Sequence, residues 1–486
     1  MDSKQRISRG LAVATDTKLF EMGGGAYRLM PNVFREFFPG RKAVVVTDVN
    51  SWAVLGEAVY ACLCDAGIPV SKYVIDKRGF HAEWKYIEMV DKVLEGDFEA
   101  AKRIENDENH VEADAKDSFV NPSEEYLVAV SVGSGVINDL CKLCSFHHGQ
   151  SHICVATAAS VDGYSSFGAS IFYQNSKQTF DCPAPVAIVA DTDVIAAAPK
   201  EMTAAGYADL AAKVPAGAEW MIADIVGSEA IIPNAWGILQ DYLDDFLSNP
   251  EGVAAGDPAT IADLFEGLIL SGFAMQAARS SRPASCCDHL FSHILDMTHH
   301  RYKGKLQSHG FQVAIGTLTM CAVFDELFKL DLTRIDPDAC AAAWPSLQSE
   351  RQRALAIFEG FPSPRLGYNQ ISIKYDDAQE VRRQLTVVRD NWPDLKARLQ
   401  GQVYSFEKMQ KLFVQVKAPS EPWMIGVTRQ QLKAMFPKVQ LMHYRYNLLD
   451  LAKRGGFYDR LVEPVFAPGG AWDLTIKVEE EAHLPN

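Results

Sequence analysis

Residues 126–146 read YLVAVSVGSGVINDLCKLCSF. The first eight are a short apolar run rich in valine, as expected of a strand buried on both faces. Gly133 and Gly135 interrupt it, and the apolar groups that follow fall at helical spacing. The segment therefore reads as strand, Gly-rich turn and helix. Glycine lets the backbone pass close to a ligand. The helix start presents N–H groups and the positive end of its dipole, a geometry that suits a pyrophosphate. Gly133 and Gly135 are thus candidate binding residues. The bland alternative is that glycines simply end a strand, as they do in many α/β proteins.

Outward from this unit, the first two hundred residues alternate in the same way. KAVVVTDV (42–49), VSKYVI (70–75), SHICVATA (151–158) and PVAIVADTD (185–193) are strand-like. EAVYACLCDAG and EWKYIEMVDKVLEG are helix-like. Strands separated by helical patterns indicate βαβ units and a Rossmann-like parallel sheet. From about Ala205 the strand signals mostly stop and long helical patterns take over. The sequence predicts an α/β domain over 1–202 and an all-helical domain over 203–486. A polar, mostly acidic stretch at about 95–125 reads as a solvated insertion.

The chain has 486 residues, a length that suits two domains. Its net charge of −15 argues against a general nucleic-acid binder, whose footprint is basic. A local basic pocket for a phosphorylated small molecule remains compatible with it. The most apolar runs, such as LFEGLILSGFAM, are too short for a membrane span, and the N-terminus has no signal-peptide core. The expectation is a cytoplasmic protein with reduced thiols. CKLC (141–144) has CxxC spacing but no matching second pair, so its cysteines read as helix packing.

Polar residues concentrate at the strand ends. TAASVDGYSSFG (157–168) supplies Thr157, Ala158, Ala159, Ser160, Asp162, Ser165 and Ser166. Ligands of parallel sheets bind beyond the carboxyl ends of strands. Asp48 ends another strand. It either holds a ribose 2′-hydroxyl, favouring NAD over NADP, or caps the next helix.

The second half adds titratable groups on helices. SRPASCCDHLFSH (281–293) places His289 and His293 four apart, on one helical face. Asp209 lies in AAGYADLAAK and His309 in KLQSHGFQVAIG. One carboxylate and two or three imidazoles suit a divalent metal with an open coordination position.

GSGVINDLCK, TAASVDGYSS, AAGYADLAAK, SRPASCCDHLFSH and SHG occur in one order over roughly residues 20–320. Together they resemble the sn-glycerol-1-phosphate dehydrogenase family. That family lies within the superfamily of glycerol dehydrogenases, iron-containing alcohol dehydrogenases and 3-dehydroquinate synthases. The C-terminal APSEPWMIGVTRQQLKAMFP and RYNLLDLAKRGGFYDRL also resemble the family's end. The resemblance implies the dehydroquinate synthase-like architecture and an NAD(P)-dependent, metal-dependent alcohol dehydrogenase. Its reaction would be the reversible reduction of dihydroxyacetone phosphate to sn-glycerol 1-phosphate. It further implies that Gly135–Asp139, Thr157–Ser160 and Ser166 hold the dinucleotide, and that Asp162 contacts substrate. Asp209, His289 and His309 would bind one metal ion, zinc first, with nickel or iron also suited. His293 would contact substrate. The enzyme is expected to act on a small phosphorylated ketone or polyol, with no nucleic-acid partner, as a homo-oligomer.

Five departures stand out: GSG where the family has three glycines, CCDH where it has a Gly/Ala-Glu-His pattern, Phe311 where it has Glu, a longer stretch between His289 and His309, and the extra acidic insertion. Arg282, Arg301 and Lys305 are candidate phosphate contacts. The alternatives are a polyol or other alcohol dehydrogenase of the same superfamily, a dehydroquinate synthase-type cyclase, and a ligand-binding protein without catalysis. Asp209 weighs against the cyclase, which carries Glu at the corresponding ligand.

Overall fold

The structure is a computed structural model that describes residues 2–484 apart from 115–119, 121, 175, 480, 482 and 483. Among the described residues, eight strands precede residue 200. They are β1 Leu19–Gly23, β2 Ala43–Asp48, β3 Val70–Ile75, β4 Val128–Gly133, β5 Ile153–Ala156, β6 Ala169–Tyr173, β7 Ser176–Phe180 and β8 Ala187–Asp191. Six form one sheet in the order β1-β8-β5-β4-β2-β3, and every pairing in it is parallel. The strand pattern of β2 explains this burial. Ala43 and Val45 pack on one face with Met30, Phe34 and Val59. Val44 and Val46 pack on the other with Trp84, Ile87 and Ile137. A strand covered on both faces has no polar side to show, hence its run of valines.

The chain runs from β2 outward to β3 and returns to the far side of β2 at β4. This reversal opens a crevice at the carboxyl ends of β2 and β4, marked by Asp48 and Gly133. The expected strands are all present. β1 and the β6–β7 hairpin were not expected; LFEMG and ASIFY are short and carry little alternation.

The stretch expected as a solvated insertion at 95–125 is corrected in part. Residues 98–106 form a helix, Phe98–Asn106, packed on the helix Trp84–Leu94. Its Glu105 is buried and accepts hydrogen bonds from the Tyr73 hydroxyl at 2.9 Å and the Asp76 amide at 2.6 Å. Its apolar stripe of Ala101 and Ile104 was masked by the surrounding acids. Residues 115–119 and 121 of that stretch lie outside the described residues.

The chain forms two compact units. One comprises Met1–Leu210 and Gly237–Ser281, the other Ala211–Trp236 and Arg282–Asn486. The single cut expected at 202/203 therefore differs from the observed division. The helix Lys200–Ala211 begins directly after Pro199, and the helix Pro258–Ala278 belongs with the α/β unit. There it packs on the N-terminal helix Ser3–Val13, with Arg6 paired to the buried Glu266. By length and composition this 21-residue helix would suffice to cross a membrane, but 78% of its apolar window is buried inside the protein.

Among the described residues, the other unit is helical apart from a two-stranded hairpin, β9 Arg301–Tyr302 and β10 Lys305–Leu306. Its long helices include Lys213–Ile225, Cys287–Met297, His309–Leu327, Ala378–Gln402 and Arg429–Leu441. The fold is thus an α/β segment with a parallel sheet followed by an all-helical C-terminal region, as the sequence predicts.

A buried lysine locks the α/β unit behind the crevice. Lys142, on the helix Gly135–His147, is 1% exposed. Its ammonium pairs with Asp139 at 3.1 Å and donates to the carbonyls of Gly163 at 3.0 Å and Gly168 at 2.8 Å. Burial pushes the Asp139 carboxyl up, against the pull of the Lys142 charge. Removing one partner of such a pair strands the other in low dielectric. Lys142→Met should therefore cost about 3 kcal/mol in a urea melt, and Lys142→Met with Asp139→Leu should recover more than half of it.

Candidate active site

Gly133 ends β4, and the helix Gly135–His147 starts two residues later. Ser134 occupies the cap position without a side-chain hydrogen bond to the helix. The amides of its first turn are therefore not taken by a cap, as an anion site at a helix start requires. A Cβ at Gly133 would stand 2.8 Å from Ile137, and one at Gly135 would stand 2.8 Å from Val161. The two glycines thus serve packing as well as close backbone approach.

The side chains beyond them turn inward. Ile137 is fully buried in the core. Asn138 donates to the carbonyls of Gly163 at 3.1 Å and Tyr164 at 3.2 Å. Asp139 is held by Lys142 and by the Ser170 amide. What this end of the sheet offers an anion is the backbone around Gly135 and Val136.

The neighbouring segment is built from small residues. Ala158 and Ala159 are buried and Ser160 nearly so, while Thr157 is half-buried and its amide donates to the Gly133 carbonyl at 3.3 Å. The Ser166 hydroxyl lies 3.3 Å from the Gly163 carbonyl and 3.4 Å from the Lys142 ammonium. Asp48 caps the turn after β2, accepting from Asn50 and Ser51 at 2.7 and 2.9 Å. The cap is thus the role its hydrogen bonds display.

Asp162 and Asp209 come together in the same unit. The Asp162 amide donates to Asp209 Oδ2 at 3.0 Å, and Asp162 Oδ2 accepts from the Ser271 hydroxyl at 2.8 Å. Asp209 is 0% exposed. Two glycines make this possible. Cβ atoms at Gly206 and Gly272 would each stand 2.0 Å from atoms of Ala159 and Ser165. The helices 200–211 and 258–278 therefore rest directly on the 157–168 segment.

The helical unit holds the histidines. The helix Cys287–Met297 carries His289 and His293, and His309 opens the helix His309–Leu327 behind its cap, Ser308. The rings of His289 and His309 are 5.2 Å apart. Asp288 Oδ2 holds Nδ1 of His289, and its other oxygen accepts from the Cys286 amide at 3.0 Å. Nδ1 of His309 lies 3.2 Å from the Ser292 hydroxyl, which donates to Gln312 at 2.7 Å. Each imidazole is thus oriented through one nitrogen, the arrangement that fixes a metal-ligating histidine's tautomer. His293 is half-buried, one turn beyond His289.

Comparison with known proteins shows what the chain is similar to. Residues 21–199 match the model of the family described as iron-containing alcohol dehydrogenase. A glycerol-1-phosphate dehydrogenase (NAD(P)+) of Halalkalibacterium halodurans is 27% identical over 343 residues, 70% of this chain and 79% of that protein. Its namesake from Pyrococcus horikoshii is 38% identical over 192 residues, 40% of this chain and 54% of that protein. This chain is similar to the glycerol-1-phosphate dehydrogenases. Among solved structures, a probable glycerol dehydrogenase from Sinorhizobium meliloti superposes with a TM-score of 0.53 at 14% identity, covering 92% of this chain and 97% of that one. The Bifidobacterium kashiwanohense sulfoacetaldehyde reductase, solved in complex with NAD+, gives 0.51 at 12% identity, covering 92% and 97%. Both likenesses are of fold.

The CCDH departure from the glycerol-1-phosphate dehydrogenase pattern has a local account. The acid of CCDH is Asp288, the group on His289. The two cysteines belong to a knot around the buried Glu219, whose oxygens accept from the Cys287 amide at 3.0 Å and the Leu448 amide at 2.9 Å. Burial and the neighbouring Asp288 charge push the Glu219 carboxyl up. Glu219, Cys286 and Cys287 lie within 4.8 Å of one another, but both Glu219 oxygens are committed to backbone amides. None of the ten cysteines is in a disulfide, and Cys141 and Cys144 are buried helix-packing groups, as expected. Phe311 is half-buried and its amide donates to the Ser308 carbonyl at 3.1 Å.

Arg282 is corrected as a phosphate candidate. It is 1% exposed and donates to the carbonyls of Glu219 and Tyr446, at 2.7 and 3.1 Å, and to Cys286. It braces the loop before His289. Arg301 and Lys305 are exposed on the hairpin between the two histidine helices.

Sequence reasoning missed Ser271, Lys142, Ser292 and the contact glycines. Gly316 matters most, since a Cβ there would stand 2.0 Å from the Asp288 carbonyl oxygen. The lack of a side chain lets helix 309–327 lie against the backbone that presents His289. Gly316→Ala should lower stability by about 1–3 kcal/mol through overpacking. A urea melt checks it, and the midpoint should fall with no change in m.

Proposed function

We propose that this chain is a metal-dependent NAD(P)H oxidoreductase that reversibly reduces dihydroxyacetone phosphate to sn-glycerol 1-phosphate. The observation that carries the reading is the His289–His309 pair at 5.2 Å, each ring held through Nδ1. The family resemblance supplies Asp209 as third ligand, and the chemistry of one carboxylate and two imidazoles suits one divalent cation, zinc first, nickel and iron being the alternatives. The relatives' names support the substrate. The absence of disulfides suits a reducing, cytoplasmic compartment.

When bound, the cation supplies Lewis-acid polarisation of the substrate carbonyl, and NAD(P)H supplies the hydride. The chain's own residues do the rest. Asp288 and Ser292 fix the two imidazoles so that Nε2 is the ligating atom. The backbone at Gly135 and Val136 cradles the pyrophosphate, and Thr157–Ser160 and Ser166 line the dinucleotide's path. Asp48 reaches the ribose with the carboxylate oxygen its cap does not use. Asp162, anchored by Ser271, orients a substrate hydroxyl. His293 orients the neighbouring hydroxyl and holds the proton needed at the carbonyl oxygen.

NADH and NADPH oxidation at 340 nm tests the reading, comparing dihydroxyacetone phosphate with dihydroxyacetone and other ketones, with and without chelator. Preference for the phosphorylated ketone, abolished by chelation, is expected; turnover confined to other carbonyls would move the function elsewhere. His289→Ala should lose bound metal and turnover together. His293→Ala should keep the metal while kcat falls by about 10²–10⁴. Unchanged metal content in His289→Ala would sink the ligand assignment.

A further inference from the structure

The hairpin β9–β10 stands between the two histidine helices. The helix 287–297 enters it and His309 follows it, four residues after Lys305. Four residues of chain span at most about 14 Å, so Lys305 stays near His309. Its sequence, RYKGKL, carries Arg301, Lys303 and Lys305 and no acid. All three cations are exposed, and among the described residues none of them has a carboxylate partner. The hairpin is thus a local cluster of positive charge in a chain of net charge −15.

The hairpin is also held in place. Lys303 and Gly304 make its turn with positive φ, 51° and 74°. Gln307 donates to the carbonyls of Tyr302 at 3.4 Å and Lys305 at 3.2 Å. His300 Nε2 lies 2.7 Å from the Ile425 carbonyl. Tyr302 packs over Gly426, where a Cβ would meet its ring at 2.7 Å. The tip is thus a braced platform for positive charge. The other cations of this unit near the histidines are committed elsewhere. Arg282 and Arg445 share Glu229 and bind backbone carbonyls, and Lys374 is buried against Asp450.

We infer that the Arg301/Lys303/Lys305 hairpin selects for phosphorylated substrate by drawing its phosphate toward the His289–His309 pair. This rests on the function proposed above. An acidic protein repels an anionic substrate at long range, and a local basic element reverses that field where it matters. Such focusing raises association rates by 10–10³ and fades with salt. The Debye length, about 30 Å at 0.01 M and about 10 Å at 0.1 M, sets the range over which the hairpin acts.

The test is kcat/KM at saturating NADH for dihydroxyacetone phosphate and dihydroxyacetone, at 0.01 and 0.3 M ionic strength. It uses the metal-loaded enzyme and its R301Q/K303Q/K305Q variant. The wild type should lose about tenfold in kcat/KM for the phosphorylated ketone as salt rises. The variant should lose about tenfold at low salt, through KM, show a flattened salt slope, and have a lower ratio of phosphorylated to unphosphorylated turnover. Lys305→Glu alone should move the ratio the same way if the triple variant folds poorly. An unchanged ratio and slope, or an equal fall with both ketones, overturns the inference and leaves the parent reading intact. No turnover of dihydroxyacetone phosphate by the wild type overturns both.

Discussion

Backbone-on-backbone contact at glycine is the constraint on which this molecule's site residues depend. Gly206 on Ala159, Gly272 on Ser165 and Gly316 on Asp288 each leave no room for a side chain. Helices normally pack 8–10 Å apart because side chains separate them. Where a glycine removes that spacer, the helix settles onto the polypeptide that presents a polar residue. Two of these contacts set the 157–168 segment, with Asp162, against the helices carrying Asp209 and Ser271. The third sets the helix of His309 against the backbone before His289. Short, stiff contacts of this kind hold chemistry-bearing groups to close tolerances.

Charge is handled in two ways. Inside each unit, several buried ions are answered locally. Lys142 meets Asp139 and two carbonyls, Arg282 meets backbone carbonyls, and Asp288 meets His289. Glu219 is surrounded by amides and burial drives it toward the neutral form. These groups order loops; their charge is used up in doing so. On the surface hairpin, by contrast, three cations stand without carboxylate partners among the described residues. The position of that hairpin, between the two helices that carry the histidines, gives its field a target.

The sequence was most legible where a pattern has one physical reading. Valine runs such as AVVV and VAVSV announce a doubly covered parallel sheet, and β2 and β4 follow. It was least legible where a residue type has two uses. Asn138 and Asp139 follow the Gly loop and read as cofactor contacts, yet their side chains bind the protein. Asp48 read equally as ribose contact or cap, and its hydrogen bonds display the cap. Arg282 read as a phosphate contact and is a buried brace. The helix 98–106 was hidden because its acidic outer face outweighed its narrow apolar stripe. β1 was missed because five residues pairing at a sheet edge carry almost no periodic signal.

The sequence by itself determined the α/β-then-helical order, the Gly-bounded helix start, and the residue types of the Asp and His set. These follow from short-range periodicity and from chemistry that only a few side chains can perform. Tertiary structure alone decided which glycines are contacts, which nitrogen of each histidine is held, and which cations are spent on the fold. Those outcomes depend on what lies across from a residue in space, and residues such as Gly316 and Asp288 are 28 positions apart. No local pattern records a neighbour at that distance.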